Sequence, residues 1–377
     1  MKRLDFEYYN PVRVYFSLNE DVELSAKISI TKTFLIVSES ASNLHPDILK
    51  RLSNNAIIYR IQGSNPDICD IDAINIPQDC SQIIGIGGGS VLDTAKACFA
   101  KLLTGGRYSL SELIQDPGIL EDYRAKRFHL NLVLIPTTFG TSSELTKWGT
   151  IWDWRNYKKY SINHEFLYAD TALIIPWLSH TVPRDITAST ALDVISHALE
   201  SIWNRKSNYV TRIYAIEAIK IVLEILPKLI KDLESREYRV KQAKASVLAG
   251  WSFSQTQTAS AHALSYPLTL FHKIPHGYAC SITLGAMFEY NFQKAKSELE
   301  EVLCIFQKRY GTSTSTFNDC FLRFLKDCNI SCHLRDYGVT SADISRLVSN
   351  AFHPDRFNNM VHVLSEKEVE EIYEAVF

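Results

Sequence analysis

The chain has 377 residues, 46% of them hydrophobic, which is enough apolar material for a large buried core and a length that suggests two domains. Forty basic against 42 acidic residues leave a formal charge of −2, which excludes a bulk field that recruits nucleic acid or an anionic membrane. The start MKRLDFEYYNPVRVYFS has no apolar export core, and no apolar run long enough to span a membrane follows, so a cytoplasmic, non-membrane protein is expected.

In chain order, TFLIVSES (33–40), AIIYRIQG (56–63), SQIIGIGGGS (81–90) and HLNLVLIPTT (129–138) are short apolar runs ending in small or polar residues. Continuous apolar strands separated by helix-like segments predict a parallel sheet covered on both faces. DILKRLSN, SVLDTAKACFAKLL and LSELIQ supply the intervening helices. After about residue 180 long helical patterns take over, in ITASTALDVISHALESIW, YVTRIYAIEAIKIVLEILPKLIKDL and VKQAKASVLAGWSFSQ. The expected architecture is an α/β nucleotide-binding domain with a parallel sheet, a Rossmann-like variant, over residues 1–178, followed by an all-helical domain over 179–377. The eight cysteines are irregularly spaced and read as reduced thiols; the one cluster, Cys328, Cys332 and His333 in CNISCH, lacks the second arm that a structural zinc site needs.

The first chemical motif is GIGGGSVLDTAK, Gly85 to Lys96, where an apolar strand turns into a helix. Free backbone N–H groups and the positive end of the helix dipole make such a place an anion site, and absent side chains let a pyrophosphate approach. A tight turn requiring positive φ is the structural alternative. The spacing differs from the ordinary GxGxxG fingerprint, and no Walker Lys-Ser/Thr pair follows, so a variant nucleotide fold is expected. PTTFGTSSELT (136–146) closes the next strand with hydroxyls that suit ribose, phosphate or amide groups in the crevice of an open α/β sheet, or serve equally as turn residues and caps. Glu39, at the end of the first clear strand, is placed to accept from a ribose 2′-OH and to repel a 2′-phosphate, which favours NADH over NADPH.

The second constellation lies in the helical half. Asp193 and His197 in ALDVISHALE are four apart, on one helix face, and an aspartate in so apolar a run demands a partner or a metal. AHALSYPLTLFHKIPHG (261–277) adds His262, His272 and His276 in an apolar stretch. Joining Asp193 and His197 to His262 and His276 gives one carboxylate and three imidazoles, suited to Fe(II) or Zn(II) with a position left for substrate. The alternatives are an internal Asp–His hydrogen bond and satisfied core histidines.

GGGSVLDTAK, PTTFGTSSELT, the D-x3-H of ALDVISHALE and the H-x13-H ending in IPHG resemble, in order and spacing and over nearly the whole chain, the iron-containing, metal-dependent alcohol dehydrogenases. The resemblance implies an NAD(P)-binding α/β domain facing a helical metal and substrate domain, with the nicotinamide cofactor between them; the sequence does not give the oligomeric state, for which a homodimer is one candidate. It implies metal ligation by Asp193, His197, His262 and His276, and cofactor binding by Gly87, Gly88, Gly89, Ser90, Asp93, Thr137, Thr138, Ser142 and Lys159. Two departures stand out. Tyr266 replaces a histidine that many members carry four residues after the third ligand, which leaves His272 as the candidate proton relay or substrate contact, or else a packing residue, and Ser142 replaces a glycine of GTGSE, narrowing the cofactor site.

Within the family, TIWDWRNYKKYSI, SHALESIWNRKSN and HALSYPLTLFHKIPHG look most like the hydroxyethylphosphonate dehydrogenase, or phosphonoacetaldehyde reductase, branch. A phosphonate substrate calls for cations, for which Lys147, Arg205, Lys273 and Arg356 are the candidates. The alternatives are a general short-chain alcohol or lactaldehyde-type dehydrogenase, a metal-dependent hydrolase, and a lyase of the dehydroquinate synthase kind, in which a glutamate would be expected at position 193.

Overall fold

The computed structural model describes residues 5–18, 31–53, 55–63 and 65–377, apart from the side chain of Asp355; Asn54, which closes the DILKRLSN stretch, lies outside them. The chain divides into two compact units, Asn10–Thr181, and Val182–Phe377 together with the residues up to Tyr9. Tyr8 ties the start of the chain to the second unit by donating its hydroxyl to the Trp251 carbonyl at 3.0 Å.

The first unit contains β1 (Arg13–Phe16), β2 (Thr33–Ser38), β3 (Ala56–Ile61), β4 (Gln82–Gly87), β5 (Asn131–Pro136), β6 (Trp148–Asp153), β7 (Lys158–Asn163) and β8 (Thr171–Ile174). Six of these form one parallel sheet in the order β1-β8-β5-β4-β2-β3, and β6 and β7 form a separate antiparallel hairpin. Alternate residues of the central strands enter two different cores. Phe34, Ile36, Ile83 and Leu132 pack on one side of the sheet, and Leu35, Val37, Ile84, Ile86 and Val133 on the other. Burial on both faces is why these strands read as unbroken apolar runs. The strands stop earlier than the quoted stretches, because Ser38 caps a short helix, Glu39–Leu44, and Gly88 caps the helix Gly89–Thr104.

The sheet grows outward from β2 to β3 and then resumes on the other side of β2 with β4, so the switch point lies between β2 and β4. The pairings Val37↔Ile86 and Gly87↔Pro136 set the carboxyl ends of β2, β4 and β5 side by side. Glu39, the glycine loop and Thr137 therefore leave the sheet along one edge.

The second unit is helical and, among the described residues, has no strand. Helices Arg184–Ile202, Tyr209–Leu229 and Arg236–Thr256 pack on one another, and Ser260–His272 and His276–Ile282 pack against the first and each other. From Ala191 to Ile202 every residue of the first helix is buried, as expected of a helix apolar on all sides. The polar residues on it are thereby forced to find partners inside the protein. No helix of the described residues is long and apolar enough to cross a membrane.

Candidate functional site

The helical unit gathers the four residues of the Asp/His set. Asp193 Oδ1 is buried, accepts no hydrogen bond, and lies 3.5 Å from His262 Nε2, 3.8 Å from His197 Nε2 and 4.0 Å from His276 Nε2. The Nε2 atoms of His197 and His262 are 3.0 Å apart. Phe253 stacks on the His197 ring, with centroids 3.9 Å apart and 6° between planes, which holds that imidazole in place. Burial alone would raise the Asp193 carboxyl, but His197, then His262 and His276, hold it well below the ordinary carboxylate range. An ionised carboxylate oxygen aimed at three imidazole nitrogens, and satisfied by no N–H or O–H, is a donor set that a divalent cation fits.

Two residues that sequence reasoning missed complete this centre. Glu200 accepts from His262 Nδ1–H at 2.6 Å, from the backbone N–H of Ala259 at 2.8 Å and from that of His262 at 3.1 Å. These bonds place the His262 proton on Nδ1 and turn the Nε2 lone pair toward Asp193, the carboxylate–histidine arrangement that orients metal ligands. Glu200 follows His197 by three residues on the same helix face, a spacing that could have revealed it. Gly277 sets the approach of His276. A Cβ at Gly277 would lie 1.8 Å from the Ser189 carbonyl oxygen, and its N–H donates to Ser189 Oγ at 3.1 Å, so the helix bearing His276 reaches the helix bearing Asp193 only because residue 277 has no side chain. Cys280, one turn after His276, also adjoins the donors.

The α/β unit holds the glycine loop. Gly87 ends β4, Gly88 is the helix N-cap with φ −74°, and Gly89 and Ser90 open the helix. None of the three glycines has positive φ, so the tight-turn alternative is set aside. What Gly89 needs is space: a Cβ there would lie 2.8 Å from Thr141 Cγ2 and 2.9 Å from its Oγ1. Thr137 N–H donates to the Gly87 carbonyl at 2.9 Å, and Thr138 Oγ1 would lie 3.2 Å from a Cβ at Gly88, so the two predicted motifs lie against each other. Ser90 Oγ donates to Asn65 Oδ1 at 2.7 Å. The helix N-terminus has no side-chain cap, which leaves its first N–H groups available to an anion.

Behind the loop lies a buried charged cluster that the sequence did not disclose, since a lysine on a helix ordinarily reaches solvent. Lys96 is fully buried and donates to Ser143 Oγ and Thr146 Oγ1, each at 3.0 Å, to Trp148 O at 2.6 Å, and to Ser143 O. Asp93 accepts from Ser143 Oγ at 2.5 Å. Burial pushes Lys96 down to about 8, against the pull of Asp93 and Glu144, and pushes Glu144 up to about 7. The cluster fastens the Thr141–Thr146 segment to the glycine-loop helix. Ser142 takes the left-handed conformation, φ 48°, at the position where a glycine was expected. Lys159 lies on β7 with its ammonium 5.1 Å from the Trp152 ring centre, and Glu39 is the exposed first residue of its helix.

His272 is not drawn into the donor cluster. It ends the helix Ser260–His272, ten residues beyond His262, which corresponds to about 15 Å of helix rise. Tyr266 is nearer, one turn from His262, buried, and edge-on to His353 at 5.0 Å between ring centres. Of the four candidate cations, Lys147 lies in the α/β unit, 3.7 Å from Glu165. Arg205 donates its Nε to Met360 O at 2.7 Å, and Asn359 bonds to the backbones of both Arg205 and Arg356, which brings those two arginines to one short segment. Lys273 is the exposed left-handed cap of its helix. Cys328, Cys332 and His333 form no donor cluster among the described residues.

Family models match both units. The iron-containing alcohol dehydrogenase model covers residues 11–176, and the C-terminal model of the Fe-containing alcohol dehydrogenase family covers 187–377. The chain belongs to the iron-containing alcohol dehydrogenase family. Members of the family similar to it include the sulfoacetaldehyde reductase of Bilophila wadsworthia (strain 3_1_6), 30% identical over 78% of this chain and 76% of that protein. The phosphonoacetaldehyde reductase of Streptomyces viridochromogenes is 32% identical over 55% of this chain and 52% of its own length. Among solved structures, the sulfoacetaldehyde reductase of Bifidobacterium kashiwanohense in complex with NAD+ superimposes with a TM-score of 0.84, at 26% identity and 99% coverage of both chains. As an iron-containing alcohol dehydrogenase, the chain is an oxidoreductase of alcohols and aldehydes.

Proposed function

We propose that this dehydrogenase reduces phosphonoacetaldehyde to 2-hydroxyethylphosphonate, using NADH and a divalent metal, Fe(II) or Zn(II), held by Asp193, His197, His262 and His276. The observation that carries the metal assignment is the buried Asp193 oxygen facing three imidazole nitrogens with no hydrogen bond of its own. When bound, the metal supplies Lewis-acid polarisation of a carbonyl oxygen and the dinucleotide supplies the hydride.

The protein's residues do the rest. Asp193 offsets part of the dication's charge and leaves the centre electrophilic. Glu200 fixes the His262 tautomer. The free N–H groups at the start of Gly89–Thr104 hold the pyrophosphate, with Thr137, Thr138 and Lys159 bordering the cofactor. Lys96, Asp93 and Ser143 keep the hydroxyl-rich segment in register with the glycine loop. Glu39 accepts from the ribose 2′-OH and disfavours NADPH, and the NAD+ complex of the Bifidobacterium relative supports binding of NAD(H). The proton reaches the product oxygen by way of Tyr266 and His353 or of His272, and substitutions at these three residues separate the two routes.

The Streptomyces relative supports phosphonoacetaldehyde, and the two sulfoacetaldehyde reductases favour a second reading, in which the charged group is a sulfonate. Both substrates are short aldehydes carrying a tetrahedral oxyanion, for which Arg205 and Arg356, both bonded through their backbones to Asn359, are the candidate cations. The test is kcat/KM with NADH for phosphonoacetaldehyde, sulfoacetaldehyde and butanal. A phosphonate preference of about a hundredfold or more over butanal is expected, the scale on which a site built for charged groups rejects an analogue lacking them. Equal efficiency on butanal would refute the oxyanion specificity, and a preference for the sulfonate would select the second reading.

A further inference from the structure

We infer that Cys280 is a donor of the metal centre, a thiolate that enters the coordination shell when a thiophilic ion such as Zn(II) or Co(II) occupies it. The inference rests on the proposal that Asp193 and the three histidines hold a divalent ion. Cys280 follows His276 by four residues on the helix His276–Ile282, which places both side chains on one face. Its Sγ lies 3.7 Å from each ring nitrogen of His276. Single donor atoms of Asp193, His262, His276 and Cys280 all lie within 4.8 Å of one another. Nitrogen and sulfur sharing one tetrahedral zinc at ordinary bond lengths stand about 3.6 Å apart. The sulfur is thus at ligand spacing from an imidazole already assigned to the metal.

A second observation points to the same place. Asp193, whose Oδ1 is buried and satisfied by no hydrogen bond, belongs to this group of four as well as to the Asp/His set. Cys280 is fully buried, so its thiol is not a surface group that happens to lie nearby. Among the described residues no other cysteine joins a cluster of three potential metal donors.

The chemistry that follows concerns metal choice. A soft thiolate favours Zn(II) over harder ions, and its ligation releases the S–H proton to solvent as the metal–sulfur bond forms. With zinc bound, the sulfur adds a further donor to the carboxylate and imidazoles and crowds the position of a substrate oxygen, whereas an Fe(II) form bound through the carboxylate and imidazoles alone leaves that position uncrowded.

The test uses the full-length protein, stripped of metal and loaded anaerobically with Zn(II) alone or Co(II) alone. X-ray absorption at the zinc edge should give one sulfur scatterer at about 2.3 Å, and the cobalt form should give a thiolate-to-metal charge-transfer band. Both should vanish in Cys280→Ser and persist in Cys304→Ser, which alters an exposed cysteine. The zinc dissociation constant should rise at least about tenfold in Cys280→Ser, the scale on which changes around a ligand shell act. A shell of nitrogen and oxygen alone in the unaltered protein, or sulfur ligation that survives Cys280→Ser, would overturn the inference and leave the Asp/His assignment standing. Failure of the unaltered protein to bind either ion stoichiometrically would overturn both. The decisive reading is made on the unaltered protein, so it does not depend on how the variants fold.

Discussion

Replacing Glu144 by glutamine should stabilise the protein at neutral pH. Glu144 is 1% exposed, its Oε1 accepts no hydrogen bond, and burial pushes its carboxyl from 4.5 up to about 7 although Lys96 pulls the other way. Between those two values the folded chain keeps a proton that the unfolded chain has released. The stability of the protonated form is therefore fully present below about pH 4.5 and is lost as the pH rises through about 7. At about 1.4 kcal/mol per pH unit, the gap amounts to about 3 kcal/mol. Glutamine keeps the shape and does not titrate, so the variant escapes that loss. Urea unfolding followed by circular dichroism from pH 4 to 8 measures it, and the variant-minus-wild-type difference cancels groups common to both proteins. The charged neighbours that could reshape the curve are Lys96 and Asp93, both in the same cluster. The difference should climb across the window and level off at about 3 kcal/mol in favour of the variant. A flat difference, or one that falls as the pH rises, would refute the reasoning.

His197→Ala should fold, lose most of its metal by elemental analysis and be nearly inactive, because the ion would be left with an incomplete set of ligands. Gly277→Ala should lower metal affinity at least about tenfold, since its Cβ would collide with the Ser189 carbonyl and push His276 away from Asp193; unchanged affinity by metal titration would contradict that positioning role. Tyr266→Phe and His353→Ala should each lower kcat by about a hundredfold, the contribution of a general acid, with metal content unchanged, whereas a larger loss in His272→Ala would return the proton path to His272.

The central strands were legible because each is buried on both faces and so is continuously apolar, as in FLIV and QIIGIG. Strands β1 and β8, of four residues each, are too short for such a run, and the β6–β7 hairpin, WGTIWD and KKYSIN, mixes aromatic, lysine and small residues without a clear alternation. Asp193 and His197 could be read from helical spacing in an apolar segment, and the motif order supplied His262 and His276. Glu200 lies in the same stretch but carries no signal of its role beyond its spacing from His197, because a glutamate at a helix end is usually solvated, whereas this one is fully buried against His262. Lys96 was hidden for the same reason. Gly277 and Cys280 depend on how closely two helices approach, and the sequence carries no record of that distance.

The most direct measurement of the central claim is NADH oxidation with phosphonoacetaldehyde, followed in protein stripped of metal by chelation and then titrated with Fe(II), with metal content determined on the same samples. Turnover should be absent in the stripped protein and should return in proportion to metal up to one ion per chain. Full turnover by the stripped protein, or metal binding at one per chain that restores none, would contradict a reductase whose chemistry depends on the ion held by Asp193, His197, His262 and His276.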